Sequence, residues 1–156
     1  MKIIDKKGVS GIVEWMVTFI MLGGILIWIS LPWSVTWLMP RVKPYYAYDD
    51  FFRWFILVLL FVTGALAIWI VYEIRRFFIS INNKNPFVYS NVTVLKRIAI
   101  SSFIIALAYI VKIVYFPTVL TIVVTMIFII AGFFCIVLAE VFRQAVEVKQ
   151  ENDLTI

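Results

Sequence analysis

Four long apolar stretches fill most of this chain, and the three breaks between them differ in kind. Over about 13–36, 51–74, 92–115 and 119–139 nearly every position is apolar, with no face set aside for water. A helix that is apolar all round over roughly 20 residues matches a hydrocarbon core about 30 Å thick. The pattern predicts an all-α fold: an integral membrane bundle of four transmembrane helices, arranged as two hairpins joined by a loop. After Ala139 the pattern changes. Leu138, Val141, Phe142 and Ala145 recur at helical spacing, while Glu140, Arg143, Gln144 and Glu147 take the other face. The fourth helix is therefore expected to leave the membrane as an amphipathic extension to residue 149, followed by a tail over 150–156.

The first break, Ser34 to Asp50, carries Pro40, Pro44, Tyr45, Tyr46 and Tyr48, which with Trp33, Trp37 and Trp54 suggest an interfacial aromatic belt. The third, Phe116-Pro117-Thr118, reads as a tight turn. The second, Arg75 to Arg97, is the longest and most charged, and it forms the expected hinge between the hairpins. Within it Ser90 or Asn91 is the expected N-cap of the third helix. Pro32 is expected to kink or end the first helix. Gly23-Gly24, Gly64 with Ala65 and Ala67, and the Ala99/Ser102/Ala106 face suit close helix approach, within one chain or in a homodimer. Lys112, near a helix end, is expected to snorkel, and Arg53 either to snorkel or to pair with Asp49 or Asp50.

Composition agrees. Hydrophobic residues make up 64% of the 156 and charged ones 15%, against about 25% in ordinary soluble domains. The net charge of +5 fits loops facing anionic lipid, with no direct nucleic-acid binding implied. Ten Lys and Arg residues fall in the start, the hinge and the tail, against four (Arg41, Lys43, Arg53, Lys112) on the other side. The positive-inside rule then puts both termini and the hinge in the cytoplasm. The first apolar run is too long for a cleaved signal peptide and is expected to be retained.

Little here suggests catalysis. There is no histidine and one cysteine, which exclude a disulfide framework and argue against a Cys/His metal site. No cofactor loop and no nucleophile beside a base is visible, so an enzyme is not expected. Glu14 invites comparison with the small multidrug resistance exporters, which use a first-helix glutamate as proton and cation site. It stands beside Trp15 at the membrane surface, however, where the helix dipole favours an anion; a relay acid belongs at mid-depth. Glu73 beside Arg75 and Arg76, and Glu140 near Arg143, read as local ion pairs. A sharper expectation is that Glu140 pairs with the hinge arginines and ties the two hairpins together.

The most specific stretches are Asn85-Pro86-Phe87 followed by Asn91, Leu95, Arg97 and Ile98, then Leu138-Ala139-Glu140-Val141-Phe142, and the closing Glu151-Asn152-Asp153-Leu154-Thr155-Ile156. On these residues the chain resembles a family of small bacterial four-helix membrane proteins, domain of unknown function 2975; Asn85 and Asn152 are its departures from that pattern. Genes of the family often lie beside one for a small Xre-type helix-turn-helix regulator. The resemblance implies a multi-pass protein of the bacterial cytoplasmic membrane that binds or sequesters such a regulator in response to a membrane signal. The partner-binding residues expected on this basis are Asn85, Pro86, Phe87, Asn91, Glu140, Phe142, Asp153, Leu154, Thr155 and Ile156. Phe87 and Phe142 would be apolar anchors, and the Leu-Thr-Ile end would add a strand to the partner or fill a groove on it. The alternative is a small proton-coupled transporter, or an immunity protein against a membrane-active peptide.

Overall fold

The computed structural model describes residues 9–42, 50–82 and 87–154. Within them the chain is four helices, α1 (Val9–Val42), α2 (Asp50–Asn82), α3 (Tyr89–Tyr115) and α4 (Val119–Leu154), and no strand. Each is long and apolar enough to cross a membrane. Close backbone approach among the described residues joins only helices that are neighbours in the chain: α1 to α2, α2 to α3 and α3 to α4. The packing is tightest between α3 and α4, and α1 lies at the edge with a broad apolar surface that includes Trp15, Phe19, Leu26 and Trp33. In water such a surface would be untenable; in lipid it is the ordinary outer face of a span.

The helices outrun the expected spans at several ends. α1 continues through Pro32 to Val42 instead of ending near it, so the first break shrinks to residues 43–49. Nearby hydroxyls bond main-chain carbonyls, Ser30 Oγ to Ile27 O at 2.8 Å and Thr36 Oγ1 to Pro32 O at 2.7 Å. In a bilayer such side chains help a helix tolerate proline. Trp33, Trp37 and Trp54 are exposed at that end; Pro44, Tyr45, Tyr46, Tyr48 and Asp49 lie outside the described residues. Arg53 has its guanidinium over the Trp54 ring, 5.8 Å from the centroid, and makes no ion pair with Asp50. The expected hinge is also mostly helix. Arg75 and Arg76 belong to α2, Lys96 and Arg97 to α3, and only residues 83–88 separate the two helices. At the far end α4 runs on through Gln150 to Leu154, where a tail was expected. Once nucleated, a helix extends at little cost wherever no residue forbids it.

Neither Ser90 nor Asn91 caps α3. The cap is Val88, extended at φ −135° and ψ 146° with no side-chain cap bond, and Asn91 N donates to Val88 O at 3.0 Å inside the first turn. The Ala99, Ser102 and Ala106 face is buried as its spacing predicts. Across from this part of α3, Gly132 of α4 leaves room for the Phe103 ring, whose Cζ would stand 2.8 Å from an added Cβ. Gly64 does the same on α2, where Trp28 Cδ1 of α1 would stand 2.8 Å from an added Cβ. Gly23 is different: nothing lies within 4 Å of the space its side chain would take, so of the Gly23-Gly24 pair only Gly24 faces a neighbouring helix, with Ile68 Cγ1 of α2 at 3.8 Å from an added Cβ. Lys112 does not simply snorkel. Its Nζ donates to Thr118 Oγ1 at 2.8 Å and Thr121 Oγ1 at 2.6 Å, fastening the α3–α4 turn.

Candidate functional site

The end of the molecule where α2 finishes, α3 starts and α4 runs on holds most of the polar structure, and it is built around one acid. Glu73 has no exposed surface at all. A lone carboxylate out of water costs several kcal/mol, and only close, hydrogen-bonded cations offset that. Here there are two. Arg76 Nη1, one turn on along α2, lies 3.3 Å from Glu73 Oε2; Arg97 Nη1, from α3, lies 3.2 Å from Oε1. The buried acid thus binds one helix of each hairpin, while both guanidinium groups keep roughly half their contact with solvent. The expectation that Glu140 ties the hairpins is corrected: Glu140 is exposed and bonds Arg143 Nε at 2.9 Å and Gln144 Nε2 at 3.3 Å on its own helix. Arg143 also reaches Glu147 at 2.6 Å, so this set is a local ladder along α4. The helix geometry explains the difference, since i+3 and i+4 partners were already within reach.

Apolar packing lies beside the triad. Val92 and Leu95 of α3 and Ala139 of α4 form a buried cluster, with Phe77, Leu138 and Phe142 against it. Phe142 touches Phe77 at 5.4 Å and Phe87 at 5.9 Å between ring centroids. Phe142 is therefore partly a core residue, and of the two expected anchors Phe87 is the one left with a large exposed face, at 44%. Between the end of α2 and the start of α3 a cavity of about 380 Å³ is lined by Arg76, Ser80, Ser90 and Asn91 among others. Asn91 is buried there, at 1% exposure.

Of the residues expected to meet a partner, Phe87, Asn91, Glu140 and Phe142 gather at this end of the molecule. Phe87 and Phe142 touch, Asn91 is buried in the fold, and Glu140 is engaged along α4. Asp153 and Leu154 fall in the last turn of α4. Asn85, Pro86, Thr155 and Ile156 lie outside the described residues. The residue the sequence reading undervalued is Glu73. Its local partner is visible as an i, i+3 pair, and Arg97 stands within the motif that carries the family resemblance, but nothing in the linear order joins them. Among the described residues no group of His, Cys, Asp and Glu is placed to hold a metal ion.

Residues 39–156 match the family described as protein of unknown function (DUF2975). The match takes in α2, α3 and α4, together with the whole of the triad. No curated protein and no solved structure matches the chain.

Proposed function

The chain belongs to the DUF2975 family of proteins of unknown function, and on that premise we propose that it is a regulatory membrane protein, not an enzyme. In this reading it holds a cytosolic helix-turn-helix regulator at the inner face of a bacterial cytoplasmic membrane and releases it when the bundle responds to a membrane signal. Both termini and the α2–α3 connection face the cytoplasm, following the Lys and Arg distribution.

The observation that carries this reading is the contact of Phe87 with Phe142. It brings the α2–α3 connection and the α4 extension, far apart in sequence, into one surface. From Ala139 to Leu154 α4 projects roughly 22 Å at 1.5 Å per residue. Along that length Val141 and Val148 are exposed beside the Arg143 ladder, and Phe87 adds an exposed ring at its base. A partner of mixed apolar and charged character fits such a face, with Phe87 as the aromatic anchor.

The test is a crosslinked pull-down from native membranes with three forms: the full chain, a chain ending at Lys149, and Phe87→Ala. A small DNA-binding protein is expected with the full chain, absent with the truncation, and reduced on the order of tenfold by loss of the aromatic anchor. If no cytosolic partner is captured by any form, the reading fails. Glu14→Gln separates it from proton-coupled export, since that change abolishes export and leaves partner capture intact.

A further inference from the structure

A second feature lies in the apolar part of the molecule and does not depend on the partner reading. α1 and α2 run antiparallel, with Trp28 against Gly64, Ile68 beside Gly24 and Thr18 against Arg75. Beside this seam is a cavity of about 300 Å³ that extends from Leu31 and Leu60 to Ile20 and Val71, with Phe128 of α4 also lining it. From Leu60 to Val71 the helix rises about 16 Å. That is close to half of a hydrocarbon core about 30 Å thick, the depth of one leaflet.

The lining is apolar in effect as well as in composition. Thr63 Oγ1 donates to Leu59 O at 2.7 Å and Trp28 Nε1 to Phe61 O at 2.8 Å, so of the three polar side chains on the lining only Tyr109 of α3 has a hydroxyl left to meet an occupant. Water gains little from such a space, which lacks the two to four polar partners a buried water needs. A helix from a second copy does not fit either. Over the same 16 Å, a helix about 10 Å across fills on the order of 1,000 Å³. A single alkyl chain is the occupant of matching width and length.

One end of the groove is charged. Arg75 lies one helical turn beyond Val71, and its Nε donates to Thr18 Oγ1 at 3.0 Å, which fixes the guanidinium between α1 and α2. Among the described residues neither Nη of Arg75 has a hydrogen-bond or ion-pair partner. We propose that this groove is a binding site for an anionic phospholipid, with one acyl chain between α1 and α2 and the phosphate on the Arg75 guanidinium. Arginine suits the task because its planar fork presents paired donors to phosphate oxygens. The lipid would complete the α1–α2 contact that the protein leaves open.

Trp28 lines the groove and reports its contents. The full chain is prepared with Trp28 as its one tryptophan, the other five (Trp15, Trp33, Trp37, Trp54 and Trp69) changed to phenylalanine. It is reconstituted in phosphatidylcholine vesicles containing dibrominated phosphatidylglycerol or, at the same mole fraction, dibrominated phosphatidylcholine. Half-maximal quenching is expected at about fivefold less of the anionic lipid, the effect of one well-placed cation at the membrane surface. Arg75→Gln brings the two lipids to parity, and Arg75→Lys restores most of the preference. Ala67→Phe fills the groove and lowers maximal quenching by both. Equal quenching by the two lipids in the parent chain, a preference that survives Arg75→Gln, or quenching undiminished by Ala67→Phe overturns the proposal. The Arg75 pair decides the matter independently if the Ala67 variant does not fold.

Discussion

Glu73→Gln, Arg97→Gln and the double change together measure how far the buried acid holds the two hairpins together. The two single substitutions remove the same ion pair, yet they should differ in cost. Arg97→Gln leaves the carboxylate where it is, fully buried, with Arg76 as its remaining cation. Removing one partner of a fully buried pair costs about 3–5 kcal/mol. Arg76 remains and Arg97 is 48% exposed, so we expect about 2–3 kcal/mol here. Glu73→Gln instead removes the buried charge itself. Arg76 and Arg97, each with some 40–48% of its side chain exposed, then turn to water. The cost should be about 1 kcal/mol, one ordinary hydrogen bond. The double variant should resemble Glu73→Gln, which makes the coupling energy about 2–3 kcal/mol, the whole cost of Arg97→Gln. Unfolding by detergent in mixed micelles, followed by tryptophan fluorescence, gives each value. If Arg97→Gln proves as mild as Glu73→Gln, the carboxylate is not buried as described and the account of the junction is wrong.

Three further outcomes follow from the helix contacts and the α3–α4 turn. Alanine gains about 1 kcal/mol over glycine in a helix, and at Gly23 nothing opposes that gain, so Gly23→Ala should stabilise the protein by about that amount. Gly64→Ala should do the reverse by about 1 kcal/mol, since the new Cβ meets a Trp28 ring held by its bond to Phe61 O and by stacking on Phe61 at 4.2 Å. The same unfolding titration reads both signs. Lys112→Met removes two hydrogen bonds from the α3–α4 turn; a loss of about 2 kcal/mol is expected, with faster hydrogen exchange at the start of α4, and unchanged exchange there would refute it.

What the sequence made legible was governed by the solvent. Four apolar stretches of spanning length leave few alternatives in a bilayer, and the small residues at Ala99, Ser102 and Ala106 fall on one face by spacing alone. Helix ends were harder, because the helices outlast the apolar pattern: α2 runs past Ile74 to Asn82 and α4 past Lys149 to Leu154. At the charged junction the sequence showed the right residue types but not their pairing. Glu73 with Arg76 is a matter of one helical turn, whereas Glu73 with Arg97 depends on how α2 and α3 settle against each other. Glycine was ambiguous for the same reason: Gly64 and Gly23 look alike in sequence, and only the neighbouring helix distinguishes them. The Phe87–Phe142 contact is of this kind too, since it joins two stretches that the linear reading could only place on the same side.

Among the described residues the helices approach closely only their neighbours in sequence, which gives the chain a natural order of assembly during synthesis. Each new helix finds its partner in the one made just before it, the low contact order that favours rapid folding. Glu73 is the exception to that immediacy. It emerges with Arg76 three residues behind, but Arg97 follows only 24 residues later, on the next helix. Until α3 arrives the first hairpin carries a carboxylate with half its final complement of cations. The arrival of the second hairpin is therefore what makes burial of that acid tolerable, and a nascent chain halted between the two would keep the Glu73 end of α2 near water.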